Sequence, residues 1–187
     1  MSPDTTPPLR LILGLMTFGP NAAHGGRITS LDDFNACLDP FQHRGYNEVD
    51  TARLYVGGQQ EAFTAEAHWK ERGLKMATKW YPIMPGAFKA DMIKAKLEES
   101  LRELKTDSVD IFYLHAVDRI VPFAETLEAV DELYKARKFK QLGLSNFSAF
   151  EVVTTCNLRG WVRPTIYQGV YNAISKSKSL HLVIMNI

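Results

Sequence analysis

The sequence has little cysteine: two in 187 residues, Cys37 and Cys156, with no C-x-x-C pair and no second sulfur or histidine at zinc-ligand spacing. A disulfide scaffold and a structural metal site are not expected, and the compartment reads as reducing and cytoplasmic. An excess of charge of one sign is also missing, with Lys plus Arg at 22, Asp plus Glu at 21 and a net charge of +1. Nucleic acid and anionic membranes select dense basic patches, so neither is expected as a partner. Long hydrophobic runs are absent too. The longest near the start, Leu11 to Phe18, is broken by Gly14 and Thr17 and has neither a basic flank nor a small-residue cleavage site, which argues against a signal peptide or a spanning helix. Asn-Gly and Asp-Gly pairs do not occur, and neither does G-x-G-x-x-G or G-x-x-x-x-G-K-[ST]. Tight two-residue hairpins and the usual phosphate-binding loops of open α/β sheets are therefore not expected.

What is present is an alternation of short apolar runs with longer amphipathic ones. The spacing predicts strands at Leu11–Phe18, Tyr46–Asp50, Lys75–Lys79, Val109–His115, Gln141–Ser145 and Thr165–Gly169. It predicts helices at Ser30–Arg44, Gly58–Arg72, Lys89–Leu104, Phe123–Arg137 and Ala149–Leu158. Ile93, Leu97, Leu101 and Leu104 share one helix face, as do Leu31, Phe34, Leu38 and Phe41. Ser30 with Asp33 makes a capping-box-like start, and Gly45 follows Arg44 where a left-handed residue ends a helix. Strands separated by single helices must be joined by crossovers and so run parallel. Without a dinucleotide fingerprint, the closed (β/α)8 barrel is favoured over the open doubly wound sheet. Only about six βα units are present by Gly169, fewer than the eight a barrel needs. The expected fold is an incomplete TIM-type barrel over residues 1–173 that lacks strands 7 and 8, followed by a divergent tail over 174–187, S-K-S-K-S-L-H-L-V-I-M-N-I and its preceding residue.

Barrel chemistry gathers at the carboxyl ends of strands. The polar residues at those ends are Asp50, Lys79, His115, Ser145, Asn146 and Gln168, with Tyr55 five residues beyond Asp50. A phenol is a weak acid at neutral pH, and a nearby ammonium that stabilises the phenolate would bring it closer to the working range. Lys79 is the candidate for that role beside Tyr55, Asp50 for pairing with Lys79, and His115 for orienting a carbonyl oxygen or relaying a proton. The set contains no nucleophile with an attendant base. Polar addition to a carbonyl is the chemistry it suits, with a hydride from elsewhere. Trp80 and Tyr81, after Lys79, are candidates for a substrate-pocket wall or for rim packing, and Met16 and Phe18 for pocket wall or core. His24, Gly25 and Gly26 read as a flexible loop, and His43, His68 and His181 show no ligand spacing.

The segments G-Y-N-E-V-D-T-A-R-L-Y, A-T-K-W, F-Y-L-H, L-G-L-S-N-F and Y-Q-G-V-Y-N, in that order, resemble the aldo-keto reductases and within them the aflatoxin-aldehyde reductase branch. The resemblance runs from about Leu11 to Ile174. It implies that Tyr55, Asp50, Lys79 and His115 match the catalytic tetrad, with Tyr55 as general acid. With that reading, His115 is expected at the substrate and Trp80 among the walls of an apolar pocket. The resemblance further implies that Ser145, Asn146 and Gln168 bind the nicotinamide carboxamide, that the cofactor is NADPH, and that the substrate is a small-molecule aldehyde or ketone, in fungal-type secondary metabolism among other settings. The loops that follow strands 7 and 8 in the family, which hold the cofactor phosphates, have no counterpart in the sequence after Asn172. That departure leaves two other readings: a catalytically inactive remnant, or a non-catalytic binding subunit on the same fold. It also leads to an expectation of marginal stability and self-association through open sheet edges.

Overall fold

The computed structural model describes residues 10–170. Among them, six parallel strands form one sheet in the order β1-β2-β3-β4-β5-β6. They are β1 (Ile12–Gly14), β2 (Glu48–Asp50), β3 (Lys75–Trp80), β4 (Val109–Leu114), β5 (Phe139–Ser145) and β6 (Pro164–Gln168). Five α-helices alternate with them: α1 (Leu31–His43), α2 (Gln60–Glu66), α3 (Ala90–Glu103), α4 (Phe123–Lys135) and α5 (Ala149–Arg159). Sequential parallel order with a helix in each crossover is the incomplete (β/α)8 architecture expected from the sequence. The tail over 174–187 lies outside the described residues.

The sheet is curled. Strands β2 and β6 are four positions apart, about 19 Å if the sheet were flat, yet the Gln168 side-chain amide donates to Asp50 Oδ2 at 3.1 Å. Only a sheet that wraps on itself brings those two strands within side-chain reach.

Two apolar layers follow from strand alternation. Met76 and Trp80 of β3, Phe112 and Leu114 of β4, and Leu142 and Leu144 of β5 point outward and pack under the helices. Ile93, Leu97 and Leu101 of α3 and Leu104 at its C-terminal cap meet them, each almost wholly buried, and each such side chain contributes about 1.5–3 kcal/mol relative to exposure. The opposite parity faces the concave side, where Ala77, Ile111 and Tyr113 cluster with Ile166. There the Tyr113 ring lies against Gly143: a Cβ at that glycine would sit 2.3 Å from Tyr113 Cδ1.

Local signals act where expected in α1. The Asp33 backbone N–H donates to Ser30 Oγ at 3.1 Å, and Gly45 has φ +84 after the helix end. Three elements differ from the sequence expectation. Strand β1 covers Ile12–Gly14 only, because its register with β2 ends at Gly14–Asp50 and the chain then turns, with Phe18 N–H donating to Leu15 O at 3.0 Å. Helix α2 ends at Glu66 instead of near Arg72, since His68 takes φ +56 and starts a run of turns. Strand β5 begins earlier, at Phe139, whose ring is buried against Phe112 and Tyr134.

Candidate active site

Parity places the site. Lys79 lies two residues past Ala77, His115 two past Tyr113, Ser145 two past Gly143 and Gln168 two past Ile166, so these polar groups share the concave face at the carboxyl ends of their strands. Asp50 joins them at the end of β2, opposite Ala77 in register.

Lys79 is the centre of the cluster. It is 1 % exposed, and its ammonium donates to Asp50 Oδ2 at 2.6 Å and to the Thr51 carbonyl at 2.7 Å. Burial lowers its pKa, opposed by the charge and hydrogen bond of Asp50 and by the charge of Glu61. The ammonium also lies over two aromatic faces, 5.2 Å from the Tyr55 ring centroid and 5.7 Å from that of Tyr113. Among the described residues, buried Asp50 Oδ1 and His115 Nδ1 find no hydrogen-bond partner. Orphaned buried polar atoms are uncommon away from functional sites.

Tyr55 opens a tight turn, Tyr55–Gly58, that follows β2. Its ring meets His115 edge-on, with centroids 6.1 Å apart and planes at 84°. Burial, with Asp50 adding, pushes the Tyr55 phenol up to about 12. The net shift is upward because burial outweighs the expected effect of Lys79, whose ammonium sits over the ring and is engaged by Asp50. Tyr55 is a fully protonated hydroxyl at neutral pH. Burial, with the Lys79 charge, pushes His115 down to about 4, so its imidazole is neutral and can donate one N–H.

Ser145 is buried at the end of β5, and Asn146 follows with φ +57. The Asn146 amide donates to the His115 carbonyl at 3.1 Å and to Ser145 Oγ at 3.0 Å. Among the described residues, these bonds and the Gln168–Asp50 bond leave the Ser145 hydroxyl hydrogen, one Gln168 amide hydrogen, Asn146 Oδ1 and Gln168 Oε1 available, two donors and two acceptors. A primary carboxamide, with one acceptor oxygen and an NH2, complements that set, so these residues fit a nicotinamide amide.

Trp80 does not stand on this face. One residue after Lys79, it points outward by strand alternation, is 4 % exposed, and donates its indole N–H to Ala87 O at 2.9 Å. Its expected place on the pocket wall is corrected accordingly. Tyr81, next in parity with Lys79, is half-exposed and meets the His115 ring edge-on at 5.3 Å. The alternation 77, 79, 81 could have distinguished the two aromatics from sequence. Phe18 is core and Met16 is exposed. The His24 to Gly26 loop, expected to be flexible, packs on the Tyr55 turn: a Cβ at Gly57 would lie 2.8 Å from His24 Nδ1, and Gly26 N–H donates to Asn21 O at 3.0 Å. Among the described residues, no group of His, Cys, Asp and Glu is placed to hold a metal ion, and no helix is long and apolar enough to cross a membrane.

Residues 10–185 match the model of the aldo/keto reductase family. The chain belongs to that family. The match also covers most of the segment beyond 173 that the sequence pattern alone set apart. Similar proteins include an aldo-keto reductase of Pseudocercospora fijiensis, 45 % identical over 147 residues that cover 75 % of this chain and 50 % of the relative. The aldo-keto reductase pigE of Monascus ruber is 37 % identical over 195 residues, covering 98 % of this chain and 57 % of the relative. Human aflatoxin B1 aldehyde reductase member 4 is 40 % identical over 149 residues, covering 76 % and 45 %. This aldo/keto reductase chain thus spans about half the length of the curated relatives it matches.

Proposed function

We propose that this aldo/keto reductase is an NADPH-dependent carbonyl reductase that converts an aldehyde or ketone to the alcohol, with Tyr55 as the proton donor. The observation that supports this most is the cluster at the strand ends: Lys79 bonded to Asp50 at 2.6 Å beneath the Tyr55 ring, with His115 edge-on to that ring. When bound, the nicotinamide supplies a hydride to the carbonyl carbon. Ser145, Asn146 and Gln168 would hold its carboxamide through the donors and acceptors left free by their internal bonds.

The carbonyl oxygen sits between the Tyr55 hydroxyl and the neutral His115 imidazole. His115 donates an N–H that polarises and orients it; a neutral ring does this without giving up its proton. As negative charge develops on the oxygen, Tyr55 transfers its hydroxyl proton there. The charge then left on the phenolate lies next to the buried Lys79 ammonium, which Asp50 holds in place. Tyr81, Ile83 and Met84 are exposed on the loop after β3, and Tyr81 meets the His115 ring edge-on, an apolar approach suited to aromatic carbonyls. A place in fungal-type secondary metabolism, which rests on the resemblance, and a cytoplasmic location, which rests on the low cysteine content, belong to the same proposal.

Oxidation of NADPH in the presence of an aromatic aldehyde tests the proposal. Wild-type protein should turn over, and Tyr55→Phe should lose at least about 100-fold in kcat, the usual scale of a missing general acid. Retained activity in a folded Tyr55→Phe variant overturns the assignment of the acid.

A further inference from the structure

The structure assigns to Arg53, clamped by Glu61, the role of a positioning residue that fixes the Tyr55 turn against the buried layer behind Lys79. This rests on the proposal that Tyr55 is the proton donor.

The turn that holds Tyr55 is strained. Val56, Gly57 and Gly58 take φ of +49, +64 and +84 in succession, a left-handed run that a β-branched valine in particular avoids. Such backbone persists only where its surroundings over-determine it. Arg53 is the main restraint. Its backbone N–H donates to Lys79 O at 3.0 Å, and its guanidinium donates to the Gly58 carbonyl at 2.5 Å, so one residue ties the far end of the turn to the strand that bears Lys79. A Cβ at Gly58 would approach Arg53 Nη2 to 2.8 Å, so a side chain there would displace the guanidinium.

The guanidinium is itself held from below. It pairs with Glu61 of α2, wholly buried, and lies 3.3 Å from Glu99 of α3. The second oxygen of Glu61 accepts from Thr78 Oγ1 at 2.5 Å, and Thr78 directly precedes Lys79 on β3. One chain of contacts therefore runs from the Tyr55 turn through Arg53, Glu61 and Thr78 to Lys79. Only a planar fork with several donors reaches Gly58 O, Glu61 and Glu99 together, which a lysine at this position cannot do. A buried ion pair is weak support for overall stability, and fixing a geometry is the better-attested use of one.

The test uses the full chain with Arg53→Lys and with Arg53→Met/Glu61→Gln, the second leaving no unpaired buried charge so that folding is retained. Hydrogen exchange should rise about 10-fold or more at the Tyr55–Gln59 amides in the double variant and stay unchanged across β3, because local opening is governed by local restraints. The aldehyde kcat should fall about 30-fold or more with KM within about 3-fold, as loss of alignment acts on the transition state rather than on binding. Arg53→Lys should fall between the double variant and the wild type. A folded double variant with wild-type exchange at the turn overturns the inference, as does one with loosened exchange but wild-type kcat. If the wild-type chain reduces no aldehyde, the proposed function fails separately, and exchange at the turn alone then supports or overturns the clamp.

Discussion

Replacing Lys79 by methionine removes the cation at the centre of the cluster while keeping most of the side-chain volume. The wild-type ammonium is fully buried, its Asp50 partner nearly so, and the two atoms are 2.6 Å apart. At an effective dielectric of about 20 that separation corresponds to a gross attraction of about 6 kcal/mol, most of it spent on desolvating the two groups. The net effect of deleting one partner is dominated by what remains. Among the described residues, Asp50 would keep only the Gln168 amide at 3.1 Å, with Oδ1 already unpartnered. Stranding a buried carboxylate in this way costs about 3–5 kcal/mol. At about 2–4 °C per kcal/mol for a chain of this size, the thermal midpoint falls by about 6–20 °C. Asp50→Asn/Lys79→Met leaves no stranded charge and should recover most of the loss. Circular dichroism followed through urea and thermal unfolding at neutral pH reads both variants. A single variant within about 1 kcal/mol of wild type, or a double variant as unstable as the single, refutes the placement of a paired, buried Lys79–Asp50 unit.

Three further outcomes follow from the geometry. The His115 pKa is lowered from 6.5 to about 4, so the folded state binds fewer protons than the unfolded state in that window; the His115 contribution to stability is complete above pH 6.5 and is lost as pH falls through about 4. Thermal midpoints measured across that range should drop more steeply for wild type than for His115→Gln, and parallel curves would contradict it. Gly143→Ala drives a methyl into the Tyr113 ring and should cost about 1–3 kcal/mol in urea unfolding, against near-neutrality if the ring has room to move. Trp80→Phe loses the indole bond to Ala87 O and about 1 kcal/mol of stability, with the aldehyde KM unchanged; a several-fold rise in KM would return Trp80 to the pocket wall.

Much of the fold was legible because strand parity and helix-face spacing are local properties. Lys79, His115, Ser145 and Gln168 end strands whose alternation fixes the direction each side chain points, so the sequence pattern alone placed them on one rim. Tyr55 was legible only through its spacing from Asp50, and the left-handed turn beneath it has no local sequence signal, since Val56 would not be expected at φ +49. The Arg53–Glu61 pair was missed for a related reason. Charged residues eight apart across a loop and a helix start read as solvated, and only the curl that brings α2 over the end of β3 buries them. Strand β1 came out shorter than its apolar run, because hydrogen-bond register with β2 sets where the strand ends. The upward shift of the Tyr55 phenol comes from burial, a tertiary quantity that the sequence pattern does not carry and that outweighs a neighbouring cation already paired with Asp50.

The most direct measurement uses NADPH deuterated at the transferable position of the nicotinamide, with an aromatic aldehyde and the purified protein. Mass spectrometry should find the alcohol one mass unit heavier, with deuterium on the former carbonyl carbon, and no such product from folded Tyr55→Phe protein. Unlabelled alcohol, no alcohol from folded wild-type protein, or labelled alcohol formed at the wild-type rate by Tyr55→Phe would contradict the account.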